Sequence, residues 1–78
     1  MKFPREVSAE RLIRVLEQLG YEVTRQKGSH VRLRHGASSG HVVTVPMHNP
    51  LKLGTLRGIL LEVAQQRSVM VETIVRML

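Results

Sequence analysis

The feature that most constrains this sequence is a change in the spacing of its apolar residues, which occurs twice along the chain. From Leu12 to Leu19 they recur every three or four residues, as in a helix with one buried face. Between Tyr21 and Val45 they alternate with polar residues, which is typical of half-buried strands. From Leu56 onward the helical spacing returns. The chain is therefore predicted to fold in the order α-β-β-β-α.

Residues suited to caps and turns separate these segments. Ser8 is suited to cap the first helix, and Gly20 to end it in a left-handed conformation. Gly28 is predicted to turn the chain with a positive φ, and Pro46 to end strand pairing. The predicted elements are a helix over 8–20, strands over 21–26, 29–35 and 41–45, a hairpin loop over 36–40, a helix starting near Gly54-Thr55 and a short last helix capped by Ser68.

The length and order of these segments define the fold class. Seventy-eight residues are enough for one domain, 1–78, with a thin core. We predict an α+β fold, in which helices cover one face of a three-stranded antiparallel sheet and leave the other face open. The short last helix is expected to direct Met70, Ile74 and Met77 or Leu78 to one side. It either completes the core or exposes an apolar surface to a partner.

The charge of the chain is concentrated in its middle. The formal net charge is +6, and no acidic residue occurs between Glu22 and Glu62, although this stretch contains six basic residues and all four histidines. Such a segment is typical of a surface that binds phosphates, in a nucleic acid or through an acidic partner protein. A solvated basic face without a ligand is the alternative. The only two aromatic residues, Phe3 and Tyr21, argue against a platform that stacks bases.

Missing residue types exclude several kinds of site. The absence of cysteine excludes disulfides, zinc–cysteine sites and a thiol nucleophile. The absence of aspartate, with every glutamate outside the basic segment, argues against two-metal phosphodiesterases and paired-carboxylate hydrolases. The histidine spacing matches no standard zinc pattern, so we expect no metal and no other cofactor. Without a long apolar run or a signal peptide, a cytoplasmic protein is expected.

One histidine stands out as a candidate for proton transfer. Strand alternation places His30 on the same face as Arg32 and Arg34. A histidine base can remove the proton of an RNA 2′-hydroxyl while neighbouring cations stabilise the developing charge, and no metal is needed. DNA lacks that hydroxyl and is expected to be inert. The alternative is that His30 is merely a polar residue on an exposed face.

The other histidines rank lower. His48 follows the third strand and is placed to lie near His30 across the sheet. His35 and His41 flank the hairpin loop and are expected to be solvent-exposed without a role. Ser29 lacks an acidic partner, so a serine triad is a poor interpretation.

Two further cations lie at the predicted start of the second helix. Lys52 and Arg57 are placed where the helix dipole is already positive, and are plausible phosphate contacts. Gly28 is expected mainly to supply the positive φ of the turn, with its bare amide also able to approach a phosphate.

Three segments, in order, resemble the HicA toxins, the YcfA-like mRNA interferases. RQKGSH at 25–30 resembles their RxxGSH signature, VTVPMH at 43–48 their V-x-V-P-x-H segment, and LGTLRGIL at 53–60 their K-G-T-L-R-x-I-L helix start. Leu19-Gly20-Tyr21 also fits. Two departures concern the C-terminus, where 65–68 replaces a usual glycine turn and the last helix is unusually apolar.

The resemblance implies a double-stranded-RNA-binding-domain-like fold and a toxin of a type II toxin–antitoxin system. It further implies a ribosome-independent endoribonuclease that cleaves messenger RNA. A HicB-type antitoxin would cover its active site and allow oligomers to form through the complex. The family's catalytic histidine corresponds to His30.

We therefore predict a metal-independent ribonuclease in which His30 is the acid or base. The surface expected to bind RNA comprises Lys27, Gly28, Ser29, Arg32, Arg34, His48, Lys52 and Arg57. The alternatives are a non-catalytic RNA-binding module and a basic protein-interaction domain.

Overall fold

One three-stranded sheet organises the chain. The computed structural model describes residues 2–36 and 40–78. Along the sequence lie α1 (Ala9–Gln18), β1 (Tyr21–Lys27), β2 (His30–His35), β3 (Val42–Pro46), α2 (Leu53–Arg67) and α3 (Val71–Met77). The sheet is antiparallel with β2 in the middle, so the predicted α-β-β-β-α arrangement with an extra C-terminal helix is confirmed. The centre of the predicted hairpin loop, 37–39, lies outside the described residues.

The first helix forms as its cap residues predict. The Ser8 Oγ accepts a hydrogen bond from the backbone N–H of Arg11 at 3.1 Å, which satisfies one of the free donors of the first turn. Gly20, with φ of +99°, follows the helix and turns the chain into β1. Leu12 and Leu16 are fully buried on the face toward the sheet.

The two faces of the sheet differ sharply in burial. Val31 and Leu33 of β2 are buried, as are Val43 and Val45 of β3, whereas the intervening residues are exposed. The helices contribute the other half of the core with Leu12, Val15, Leu16, Leu56, Ile59, Leu60, Val63 and Ile74. The opposite face of the sheet has no helix over it among the described residues, which confirms the predicted open face.

The C-terminal part differs from its prediction in two details. Ser68 does not cap the last helix: it ends α2 in a left-handed conformation with φ of +54°, and Met70 precedes α3. Met70 is 65% exposed and therefore does not share the packed side with Ile74, which is fully buried. Because Ile74 joins the main core, α3 completes that core.

Strand β1 contains a β-bulge. Val23 pairs with Leu33, but the next paired residue is Arg25, opposite Arg32, so that Thr24 is an extra residue. The Thr24 hydroxyl donates a hydrogen bond to the Arg32 carbonyl at 3.3 Å. The predicted half-buried pattern is wrong for Val23, which is 44% exposed although it pairs with the fully buried Leu33.

Two histidines expected at the surface are instead packed inside. His35 is 5% exposed, and its Nε2–H donates to the Leu19 carbonyl at 2.9 Å. It shares the covered face with Leu33 because strand side chains repeat every two residues. His41 places Nδ1 2.7 Å from the Tyr21 hydroxyl and Nε2 3.4 Å from Glu62. Both histidines lie edge-on to the Tyr21 ring.

Because the phenol of Tyr21 is buried, the fold is expected to lose stability at alkaline pH. Burial raises the pKa of Tyr21 above its ordinary value of 10; Arg67 opposes this rise and Glu62 adds to it. The folded chain then holds the phenolic proton more tightly than the unfolded chain, so its stability falls as the pH rises above 10. Urea unfolding between pH 9 and 11.5 should show a steeper fall for wild type than for Tyr21→Phe. Equal slopes would show that the phenol does not contribute.

Candidate nucleic-acid interface

The open face of the sheet carries a shallow basic depression. It has a volume of about 290 Å³ and is lined by Arg25, Lys27, His30, Arg32 and Thr44. We call it the His30 depression. All three strands contribute to it, and none of the carboxylates in the described parts of the chain lines it. An exposed imidazole is therefore surrounded by three cationic side chains.

The β-bulge brings these side chains together. Uninterrupted alternation from Tyr21 would place Arg25 and Lys27 on the covered face with Val23. The extra residue reverses this phase, so that Lys27 pairs with His30, and Arg25 with Arg32. Bulges commonly re-aim side chains in this way beside functional sites.

The turn before β2 is hydrogen-bonded to the residue that follows β3. Gly28 has φ of +57°, which confirms its predicted conformation, and Ser29 belongs to the turn rather than to the strand. The Ser29 carbonyl accepts a hydrogen bond from the N–H of Met47 at 2.6 Å, beyond the end of β3. The Ser29 Oγ lies 3.5 Å from the His30 Nδ1. The position of His30 is therefore held by its pairing with Lys27 of β1 and by the Ser29–Met47 hydrogen bond beyond β3.

His48 and Lys52 lie in a neighbouring depression, which we call the loop depression. It measures about 200 Å³ and is lined by Pro46, His48, Leu51, Lys52 and Thr55. The loop that carries these residues is tied to the segment before α1: the Leu51 N–H donates to the Val7 carbonyl at 2.8 Å, and the Asn49 Oδ1 accepts from the Ala9 N–H at 3.0 Å.

The structure places Arg34 and Arg57 apart from His30. Arg34 lies at the hairpin end of the sheet, in a depression that also contains Glu22. Arg57 lies beside the N-terminal segment, with its guanidinium carbon 5.9 Å from the centre of the Phe3 ring. Of the eight residues predicted to bind RNA, four, namely Lys27, Gly28, Ser29 and Arg32, are in the His30 depression or the adjoining turn.

Some residues of this interface were not in the predicted set. Arg25 lies within the acid-free segment and the RQKGSH motif, but its direction depends on the bulge. Thr44 is exposed between buried Val43 and Val45, so alternation alone would have indicated it. Lys2 and Arg5 join Arg57 only through the tertiary fold.

Neither a metal-binding cluster nor a membrane-spanning helix occurs in the parts of the chain that the structure describes. Within residues 2–36 and 40–78, no group of three His, Cys, Asp or Glu side chains is arranged to hold a metal ion. In the same ranges no helix combines the length and apolar character needed to cross a membrane.

Comparison with known families identifies the chain. The sequence profile described as the HicA toxin of bacterial toxin–antitoxin systems matches residues 9–65, well over half of the chain. The chain belongs to the HicA toxin family. The match includes all three strands and therefore every residue of the His30 depression, whereas α3 of this HicA toxin lies outside it. No curated protein and no solved structure is significantly similar to the chain.

Proposed function

We propose that this HicA toxin is a metal-independent endoribonuclease that cleaves messenger RNA in the cytoplasm. The observation that supports this most directly is the composition of the His30 depression. It holds an exposed imidazole among Arg25, Lys27 and Arg32, and no carboxylate. This arrangement offers proton transfer and phosphate binding but no acidic ligands for a metal ion.

RNA supplies its own nucleophile for such a site. His30 removes the proton of a 2′-hydroxyl, the oxygen attacks the adjacent phosphorus, and the bond to the 5′-oxygen breaks as that oxygen takes up a proton from solvent water, which reaches the open depression. The guanidinium groups of Arg25 and Arg32 and the ammonium of Lys27 stabilise the charge that develops on the phosphoryl oxygens. The products are a 2′,3′-cyclic phosphate and a 5′-hydroxyl end.

A HicB-type antitoxin is the proposed protein partner. Membership in a toxin family of toxin–antitoxin systems supports this, as does the net charge of +6, which favours an acidic partner. The antitoxin would neutralise the toxin by covering the open face of the sheet, and oligomers would form through that complex.

The test is an incubation of the purified chain with a labelled single-stranded RNA and the matching DNA, in excess EDTA. We expect cleavage of the RNA alone, cyclic phosphate ends, and binding that weakens steeply with salt as counterions are released. Cleavage that requires an added divalent metal, or ends bearing a 3′-hydroxyl, would contradict the mechanism. Binding without cleavage would favour an RNA-binding module. Binding to one protein and not to RNA would favour an interaction domain.

A further inference from the structure

We propose that the RNA strand extends from the His30 depression around the end of the sheet to a second basic surface. This surface is a depression of about 440 Å³, which we call the N-terminal basic surface. It is lined by Lys2, Phe3, Arg5, Leu53 and Arg57. The proposal rests on the proposed function and adds a path for the substrate.

The His30 depression, the loop depression and the N-terminal basic surface follow one another along the molecule. His30 pairs with Pro46 across the sheet, and Pro46 also lines the loop depression. Lys52 of the loop depression is followed directly by Leu53, which lines the N-terminal basic surface. A flexible strand lying over His30 can therefore pass beside Lys52 and reach Arg57 along one surface.

The charged side chains along this path are all positive. The cations along this path are Lys2, Arg5, Arg25, Lys27, Arg32, Lys52 and Arg57. None of the described carboxylates lines any of the three depressions. In the depression at the other end of the sheet, Glu22 offsets the charge of Arg34, so phosphates are attracted less there. The field therefore directs the strand away from the hairpin end and toward the N-terminal basic surface.

The N-terminal basic surface combines apolar and cationic side chains. Its half-buried Phe3 ring and its 44% exposed Leu53 offer apolar contact, and three cations surround them. Cations beside apolar side chains suit a nucleotide, whose phosphate pairs with the cations while its sugar and base contact Phe3 and Leu53. Continuity with the His30 depression favours RNA over an acidic peptide.

The experiment compares two triple variants on two RNA substrates. Lys2→Ala/Arg5→Ala/Arg57→Ala removes the cations of the N-terminal basic surface. The control Arg11→Ala/Arg14→Ala/Arg76→Ala removes the same charge from exposed positions that line none of the depressions. One substrate is a trinucleotide. The other is a 12-nucleotide RNA, which at a stacked spacing of roughly 3.4 Å per nucleotide exceeds the 31 Å length of the molecule.

For the 12-nucleotide RNA, we expect the first variant to lower kcat/KM about tenfold through KM, and to reduce the log–log salt slope by about 2, since each phosphate contact on a single strand contributes about 0.7. For the trinucleotide, we expect a change of less than about twofold, since only the His30 depression is occupied. The control variant is expected to change both substrates alike and by less than about threefold, through long-range steering alone.

Equal losses in the two variants, or equal losses on the two RNAs, would overturn the proposal. Unchanged activity of the first variant on the 12-nucleotide RNA would also overturn it. If that variant lost only its binding to a polyglutamate peptide, the N-terminal basic surface would bind an acidic peptide and not RNA. A wild-type chain that neither binds nor cleaves RNA would instead overturn the proposed function. Lys2→Glu/Arg5→Glu, which keeps the Arg57–Phe3 contact, gives the same test if the triple variant unfolds.

Discussion

Replacement of His30 by alanine is expected to lower the rate of RNA cleavage by roughly 10²–10⁴-fold, the usual contribution of a general acid or base. RNA affinity should change by less than about threefold, because the phosphate contacts proposed for Arg25, Lys27 and Arg32 do not involve His30. The fold should be unaffected, since His30 is exposed and surface substitutions change the free energy of unfolding by about 0.5 kcal/mol or less.

Single-turnover rates and direct binding measurements separate these effects. Lys27→Ala serves as the comparison, because loss of a phosphate contact is expected to raise KM more than it lowers kcat. Free imidazole should restore part of the rate of His30→Ala, since the depression is open to solvent. A rate loss below about tenfold, or a parallel loss of affinity, would show that His30 does not transfer the proton.

Replacement of Gly20 by alanine is expected to destabilise the fold by about 2–5 kcal/mol. The φ of +99° is strained for any residue with a Cβ, at about 1–2 kcal/mol. The new Cβ would also lie 2.6 Å from the Nε2 of His35, and such overpacking adds about 1–3 kcal/mol. His35 cannot move away without breaking its hydrogen bond to Leu19.

Gly28→Ala is the matched control for this substitution. Gly28 also has a positive φ, of +57°, but apart from its own chain neighbours no atom lies within 4 Å of the Cβ that alanine would add. The free energy of unfolding of Gly28→Ala should therefore fall only by the backbone strain of about 1–2 kcal/mol. Urea unfolding of both variants measures the difference. Similar losses at the two glycines would show that packing against His35 adds nothing.

Much of the fold was predictable because its causes are local. The spacing of Leu12, Leu16 and Leu19 indicates a helix wherever it occurs, and the alternation around Val31 and Leu33 indicates a strand that is covered on one side. The same alternation placed His30 and Arg32 together on the open face, as the structure does. The placement of these residues can be predicted without knowing which distant parts of the chain they contact.

The remaining features depend on partners far away in sequence. His35 donates a hydrogen bond from Nε2–H to the Leu19 carbonyl, and His41 packs beside Tyr21 and Glu62. Alternation from Leu33 would have indicated the covered face for His35, but the partners of both histidines lie far away in sequence, and both residues were expected at the surface. The grouping of Arg57 with Lys2 likewise follows from packing between elements that are separated by most of the chain.

The β-bulge has a consequence for how β1 can vary in length among related proteins. Thr24 is the surplus residue, so its deletion would leave Tyr21–Val23 and Arg25–Lys27 paired as they are. Deletion of Gln26 would instead absorb the surplus and turn Arg25 to the covered face. The effect of losing one residue from β1 therefore depends on where it is lost. A homologue that lacks the residue at Thr24 retains the same arrangement of charge around its histidine.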